Sequence, residues 1–163
     1  MAVPELELRV LTKSDGRDVL GWHYSGPYAA YDIPADSHEE ALEAFLDPAN
    51  AYHVMVDASG EVWAVCCFGP DARVPGGDYQ EQALDIGLGL RPDLTGLGLG
   101  SACVRTAVAH ARGVPGARLL RVTIAAWNKR AQKVWERAGF RQAYRFVRSV
   151  GEPVEFVQMV LGV

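Results

Sequence analysis

The chain has 163 residues, 49% of them hydrophobic, and this length and apolar content are typical of one globular domain with its own core. Its formal net charge of -4 at pH 7 argues against a broad binding surface for nucleic acid or for an anionic membrane. The three cysteines, two of them adjacent, have neither metal-ligand spacing nor the even count of a disulfide framework, so we expect no metal site and a reducing, cytoplasmic location.

The N-terminal segment predicts a strand and then a helix. Residues 1–10 lack the basic start and long apolar core of a signal peptide, and no apolar run reaches the roughly 18 residues of a membrane span. Polarity alternates along ELELRVL, residues 5–11, as in a β-strand, and we expect the following helix to start at Ser14 or Asp15. We therefore expect a soluble chain whose single domain covers residues 1–163.

An aromatic, turn-rich segment separates this first helix from a second helix and a β-hairpin. Ser37 and Glu40 have the spacing of a capping box at the start of the second helix, and Pro48 marks its end. The runs AYHVMVD and VWAVCCFG flank a Ser-Gly turn, which predicts an antiparallel hairpin.

The second half of the chain alternates strands and helices, with Gly139 placed to end the last helix. The predicted elements are a strand over 83–90, a helix over 99–112, a strand over 118–126, a helix over 128–138 and strands over 142–149 and 154–161. The whole order is β-α-α-β-β-β-α-β-α-β-β, which predicts an α/β domain with a mixed sheet covered by helices.

The segment RPDLTGLGLG, residues 91–100, places three glycines between a strand and a helix. Backbone N–H groups at such a helix start, together with the helix dipole, favour an anion, although a plain turn with close packing is equally compatible with the glycines. A Walker loop would continue with Lys and then Ser or Thr, whereas Ser101 and Ala102 follow here. A dinucleotide site would need an acidic residue at the end of the next strand, and that strand ends in AAWN.

The run ALDIGLGLRPDLTGLGLGSACV, followed by RVTIAAWNKRAQKVWERAGF, resembles the GNAT superfamily of acyl-CoA-dependent N-acetyltransferases. Thr95, Gly98 and Gly100 match the family's Q/R-x-x-G-x-G/A loop, with Thr95 in place of Gln or Arg. Asn128 and Trp135 match N-x-R-A-x-x-x-Y-E-x-A-G-F, with Trp135 in place of Tyr. The resemblance implies a mostly antiparallel sheet of six to seven strands, flanked by helices, that holds acetyl-CoA between two splayed central strands.

The resemblance also implies which residues bind acetyl-CoA. The pantetheine arm would pair with the strand at Leu88, Gly89 and Leu90, where a bulge at Gly87 and Gly89 would free an N–H for the thioester carbonyl, unless these glycines serve close packing alone. The pyrophosphate would lie on the N–H groups of Gly96, Leu97, Gly98, Leu99, Gly100 and Ser101, with a hydroxyl from Thr95 or Ser101.

Three side chains have both a structural and a functional interpretation. Asn128 suits a helix N-cap as well as a pantetheine contact, and Trp135 suits the core as well as the thioester region but cannot shuttle a proton. Asp85 would be the general base, or else an exposed or hydrogen-bonded structural carboxylate. A base matters because an unperturbed lysine-like amine, with a pKa near 10.4, is neutral in only about 1 of 2,500 molecules at pH 7.

The acceptor pocket is expected in the segments GWHYSGPYAAYD and PDARVPGGDY. The first of them is rich in aromatic residues, Trp22, Tyr24, Tyr28 and Tyr31, although each of these could instead belong to the core. We predict acetyl transfer from acetyl-CoA to the primary amine of a small molecule or peptide by direct attack. A homodimer is compatible with the sequence. A catalytically silent acyl-CoA-binding domain and a nucleotide-binding regulatory domain are the alternatives.

Overall fold

The computed structural model describes residues 5–163, and its centre is one seven-stranded sheet in the order β1-β2-β3-β4-β5-β7-β6. The strands are β1 (Glu7–Val10), β2 (His53–Val56), β3 (Val62–Phe68), β4 (Leu84–Leu90), β5 (Leu119–Ala125), β6 (Arg141–Val147) and β7 (Glu155–Gly162). The helices are α1 (Lys13–Leu20), α2 (His38–Leu46), α3 (Gly100–Arg112) and α4 (Lys129–Arg137). The predicted element order and fold class are confirmed. None of these four helices is both long and apolar enough to cross a membrane.

The sheet opens at its centre, between β4 and β5. These two strands pair in parallel over only three residues each, from Leu84↔Leu120 to Ile86↔Val122, whereas the other neighbouring strands pair antiparallel. Beyond Ile86, β4 continues to Leu90 with no pairing to β5, so one edge of β4 faces the gap. β5 likewise continues past Val122 to Ala125, so the divergence of two continuing strands creates the space between them.

The predicted bulge at Gly87 and Gly89 is wrong. The β3–β4 register runs without a shift from Ala64↔Leu90 to Phe68↔Ile86. A Cβ placed on Gly87 would lie 2.8 Å from the Cys67 sulfur, and one on Gly89 would lie 3.4 Å from a Val65 methyl. Both glycines therefore allow β3 side chains to pack closely over β4, which was the alternative interpretation.

Helices cover both faces of the sheet and define two apolar clusters. The larger cluster joins α3 and α4 to one face and includes the fully buried Cys103, Leu120 and Met159. The smaller cluster joins α1 and α2 to the other face through Leu20, Phe45 and Val54. The gap between β4 and β5 therefore connects two faces that are otherwise separately packed.

The capping box was predicted at the start of α2, but the structure has it at the start of α1. Thr12 is the N-cap of α1: its hydroxyl accepts from the Asp15 N–H at 3.2 Å, and the Asp15 carboxylate accepts from the Thr12 N–H at 2.8 Å. Ser37 precedes α2 but makes no side-chain cap. Its ψ is 2°, against 165° at Thr12, because a 3-10 turn over Ala35–Ser37 leads directly into α2 and prevents the extended conformation that a cap needs.

We expect Thr12→Ala to lower the free energy of unfolding by about 1 kcal/mol, because it removes this cap. Ser37→Ala is the matched control and should change stability by less than about 0.5 kcal/mol, since no cap bond is lost. Urea denaturation followed by circular dichroism measures both. Equal losses in the two variants would contradict the assignment of the cap.

Candidate active site

One cavity of about 860 Å³ is lined by residues from both faces of the sheet and by the edge of β4 at the gap. On the α3 and α4 side it is lined by the segment 95–101, without Leu97, and by α4; we call this the loop half. On the other side it is lined by the residues that we call the aromatic half: Trp22, Tyr24, Tyr28, Tyr31, Ile33, Phe45, Tyr52, Val65, Asp71, Ala72 and Phe156. Two molecules that enter from opposite faces can therefore meet at β4.

The glycines of the loop half leave space beside the backbone. Gly96 and Gly98 have φ of 74° and 76°, a conformation that favours glycine. A Cβ on Gly98 would meet no heavy atom within 4 Å, so its position is open to a ligand. The N-cap Leu99 supplies no side-chain hydrogen bond, which leaves the first N–H groups of α3 without a cap. Such a helix start suits a phosphate.

Three cations of α4 line the same half of the cavity: Arg130, Lys133 and Arg137. The position of a Cβ on Gly96 lies 3.5 Å from a terminal nitrogen of Arg130. This guanidinium adds positive charge beside the glycine loop and was not among the residues predicted from the sequence. The spacing of 130, 133 and 137 along one helix face was the signal that could have found it.

The segment 22–33 forms the aromatic wall that was expected, since Trp22, Tyr24, Tyr28 and Tyr31 all line the cavity. The Tyr24 hydroxyl donates to the Leu90 carbonyl at 2.7 Å, which attaches the segment to β4. Tyr28 and Tyr31 each pack on Trp127 with ring centroids 5.5 Å apart. Burial raises the pKa of Tyr24 to about 12 and that of Tyr31 above its usual value, so both hydroxyls stay neutral.

Asp71 is the one carboxylate among the residues that line this cavity. The Tyr52 hydroxyl donates to its Oδ2 atom. Burial, with smaller effects from Cys67 and Asp71, raises the pKa of Tyr52, so that it remains a donor. The segment PDARVPGGDY was expected near the acceptor, but Asp71 itself had no distinguishing motif.

The family model of the acetyltransferase (GNAT) family matches residues 17–140. The chain belongs to the GNAT family. No curated protein sequence matches it. Among solved structures it is similar to a chimera of the Vibrio cholerae spermidine N-acetyltransferase, with 17% identity over 97% of this chain and 95% of that one and a TM-score of 0.76. It is also similar to a protein assigned as a phosphinothricin N-acetyltransferase, with 20% identity over 97% and 98% and a TM-score of 0.72. This GNAT member is an acyltransferase.

Most GNAT loop positions line the cavity, with two exceptions to the predicted contacts. Leu97 is 64% exposed and lies outside the cavity lining. The Thr95 hydroxyl donates to the Pro92 carbonyl at 2.7 Å and so closes its own turn. Of the two predicted hydroxyls, this leaves Ser101, which lines the cavity at the first turn of α3, as the free candidate.

The Asn and aromatic positions of the second GNAT motif have structural roles that do not exclude ligand contact. The Asn128 oxygen accepts from the Ala131 N–H at 3.1 Å as the N-cap of α4, and its amide nitrogen donates to the Tyr31 hydroxyl at 3.0 Å. Trp135 is 5% exposed and packs edge-on against Phe140 at 4.9 Å. Both side chains also line the cavity.

Asp85, the predicted general base, lies in a buried ion pair. Its Oδ1 and Oδ2 accept from the Arg121 guanidinium at 2.6 and 2.9 Å, and Oδ2 also accepts from Arg73 at 2.8 Å. Asp85 is 3% exposed and does not line the cavity. Accepting a proton would break the pair with Arg121, so the geometry favours the structural alternative for Asp85.

Proposed function

We propose that the protein transfers an acetyl group from acetyl-CoA to a primary amine by direct attack of the amine nitrogen. The observation that carries this proposal is the continuous cavity that joins the glycine loop to the aromatic segment through the gap between β4 and β5. A binding module would need the loop half alone. The continuity of the two halves supports a reaction between two substrates.

The residues of the loop half fit a bound coenzyme. The N–H groups near Gly98 and the start of α3 would hold the pyrophosphate, with Arg130 and Lys133 supplying positive charge. The unpaired edge of β4 at Leu88, Gly89 and Leu90 would hold the extended pantetheine arm. Bound there, the coenzyme supplies an activated acetyl thioester.

The side chains around the gap favour direct attack over an acyl-enzyme. Cys66, Cys67 and Cys103 line the cavity, but burial raises the pKa of each thiol, that of Cys67 and Cys103 to about 11, so none is an activated nucleophile. In direct attack the acceptor amine is the nucleophile, and it must lose one proton from its ammonium form before its nitrogen attacks the carbonyl carbon. As the C–N bond forms and the C–S bond breaks, a second proton leaves nitrogen and the thiolate is protonated, so that one proton in all is released to water.

The proposal is tested by calorimetric titration with coenzyme A, ATP and NAD, and by thiol release from acetyl-CoA in the presence of primary amines. We expect one coenzyme A to bind per chain and an amine to stimulate thiol release. A protein that binds ATP or NAD as tightly as coenzyme A would contradict the proposal. So would a protein that binds coenzyme A but acetylates no amine.

We expect kcat/KM for an alkylamine to rise nearly tenfold per pH unit between pH 6 and 9. Only the neutral amine attacks, and its fraction rises tenfold per unit while the pH stays below its pKa, about 10.4 for a lysine-like amine. Tyr24, Cys67 and Cys103 have raised pKa values and do not ionise in this range. Initial rates at low amine concentration measure the slope. A profile that is flat from pH 6 to 9 would contradict attack by the free amine.

A further inference from the structure

We infer that the acceptor is a primary amine with a single positive charge on an apolar body, and that Asp71 binds its ammonium group. This inference rests on the proposed function and specifies its substrate class. It starts from the make-up of the aromatic half, where apolar and aromatic side chains surround one carboxylate.

The aromatic half suits an uncharged, apolar body. Its walls include Trp22, Tyr24, Ile33, Phe45, Val65 and Phe156. Phe45 and Tyr52 pack edge-on at 4.9 Å, and Tyr24 and Tyr31 face each other edge-on at 6.4 Å. Such rings bind apolar surface, and their faces also attract a nearby ammonium group.

Asp71 is placed where it can hold that ammonium group near the reacting edge of β4. Ala72, the next residue, lies 3.5 Å from the position of a Cβ on Gly87, at the point where β4 leaves β5. The Tyr52 hydroxyl occupies Oδ2 of Asp71, and Oδ1 has no hydrogen-bond partner among the described residues. Asp71 is also exposed to solvent, so a proton that leaves the amine has a route to water.

The same charge distribution disfavours two other classes of amine. A polyamine brings two or more further ammonium groups, and Asp71 is the one carboxylate that lines the described cavity, so each further charge would lose its hydration with ring faces as its only partners. An amino acid brings a carboxylate, and the cations that line the described cavity, Arg130, Lys133 and Arg137, all come from α4 in the loop half. Arg130 also reaches the Tyr28 ring at 4.1 Å, but it lies beside Gly96, where the proposed function assigns its charge to the pyrophosphate.

The test compares 2-phenylethylamine, spermidine and L-glutamate, first by calorimetric binding to the protein without coenzyme and then by thiol release with acetyl-CoA. We expect kcat/KM for 2-phenylethylamine to exceed both others by at least tenfold. Asp71→Asn should weaken 2-phenylethylamine binding at least tenfold, and Tyr52→Phe, which keeps the ring and the carboxylate, should weaken it only a few-fold. Asp18→Asn is the matched control, because Asp18 is exposed on α1 and lies outside the cavity, and it should bind like the wild type.

A preference for spermidine or glutamate, or wild-type binding by a folded Asp71→Asn variant, would overturn the inference. A protein that neither binds nor acetylates 2-phenylethylamine would do the same. The proposed function fails separately, when coenzyme A gives no heat of binding or when no amine of any class is acetylated.

Discussion

Asp85→Asn is expected to destabilise the protein by about 3 kcal/mol, because it leaves the Arg121 guanidinium buried without its charge partner. Arg121 is 3% exposed, and its Nε and one terminal nitrogen both donate to Asp85. At 2–4 °C per kcal/mol for a chain of this size, the melting temperature should fall by roughly 6 to 12 °C. Calorimetric or circular dichroism melts measure the loss.

Two variants separate the buried pair from its exposed neighbour. Arg73 also donates to Asp85, but its side chain is 45% exposed, so Arg73→Gln should cost less than about 1 kcal/mol. The double variant Asp85→Leu/Arg121→Met removes both buried charges at once and should recover much of the lost stability. These results together would assign Asp85 to the fold.

The opposite result would return Asp85 to the role of general base. A variant Asp85→Asn that melts like the wild type, loses roughly 10²–10³ in turnover at pH 7 and recovers at high pH would support base catalysis. Turnover must therefore be compared at a temperature at which the variant is fully folded.

Gly98→Val is expected to weaken coenzyme A binding by at least tenfold, or about 1.4 kcal/mol. No heavy atom lies within 4 Å of the position of a Cβ on Gly98, so a valine side chain would fill space that is open to a pyrophosphate. A φ of 76° also disfavours any β-branched residue, so the loop would shift away from its present course.

Gly116→Val is the matched control for that strain. Gly116 has a φ of 81° and equally open surroundings, but it lies in the turn after α3 and does not line the cavity. Both variants should lose similar stability, and only Gly98→Val should lose coenzyme A binding in calorimetry. Unchanged affinity in a folded Gly98→Val variant would exclude this loop as the binding site.

The sequence by itself determined the order of the elements and the place of the glycine loop. Both depend on local signals: hydrophobic periodicity of 2 or 3.6 residues marks strands and helices, and glycine tolerates the positive φ at 96 and 98. The aromatic wall was also predictable, because Trp22, Tyr24, Tyr28 and Tyr31 lie within one short, turn-rich segment.

Only the tertiary structure decided what the carboxylates do. Asp85 and Arg121 are 36 residues apart and meet because β4 and β5 pair in parallel register at these two positions. Asp71 gains its position only when the turn at Pro70–Ala72 packs beside Tyr52 at the open edge of β4. A carboxylate acts as a base, a binding group or a structural partner according to the charges and solvent around it, and those neighbours come from distant parts of the chain.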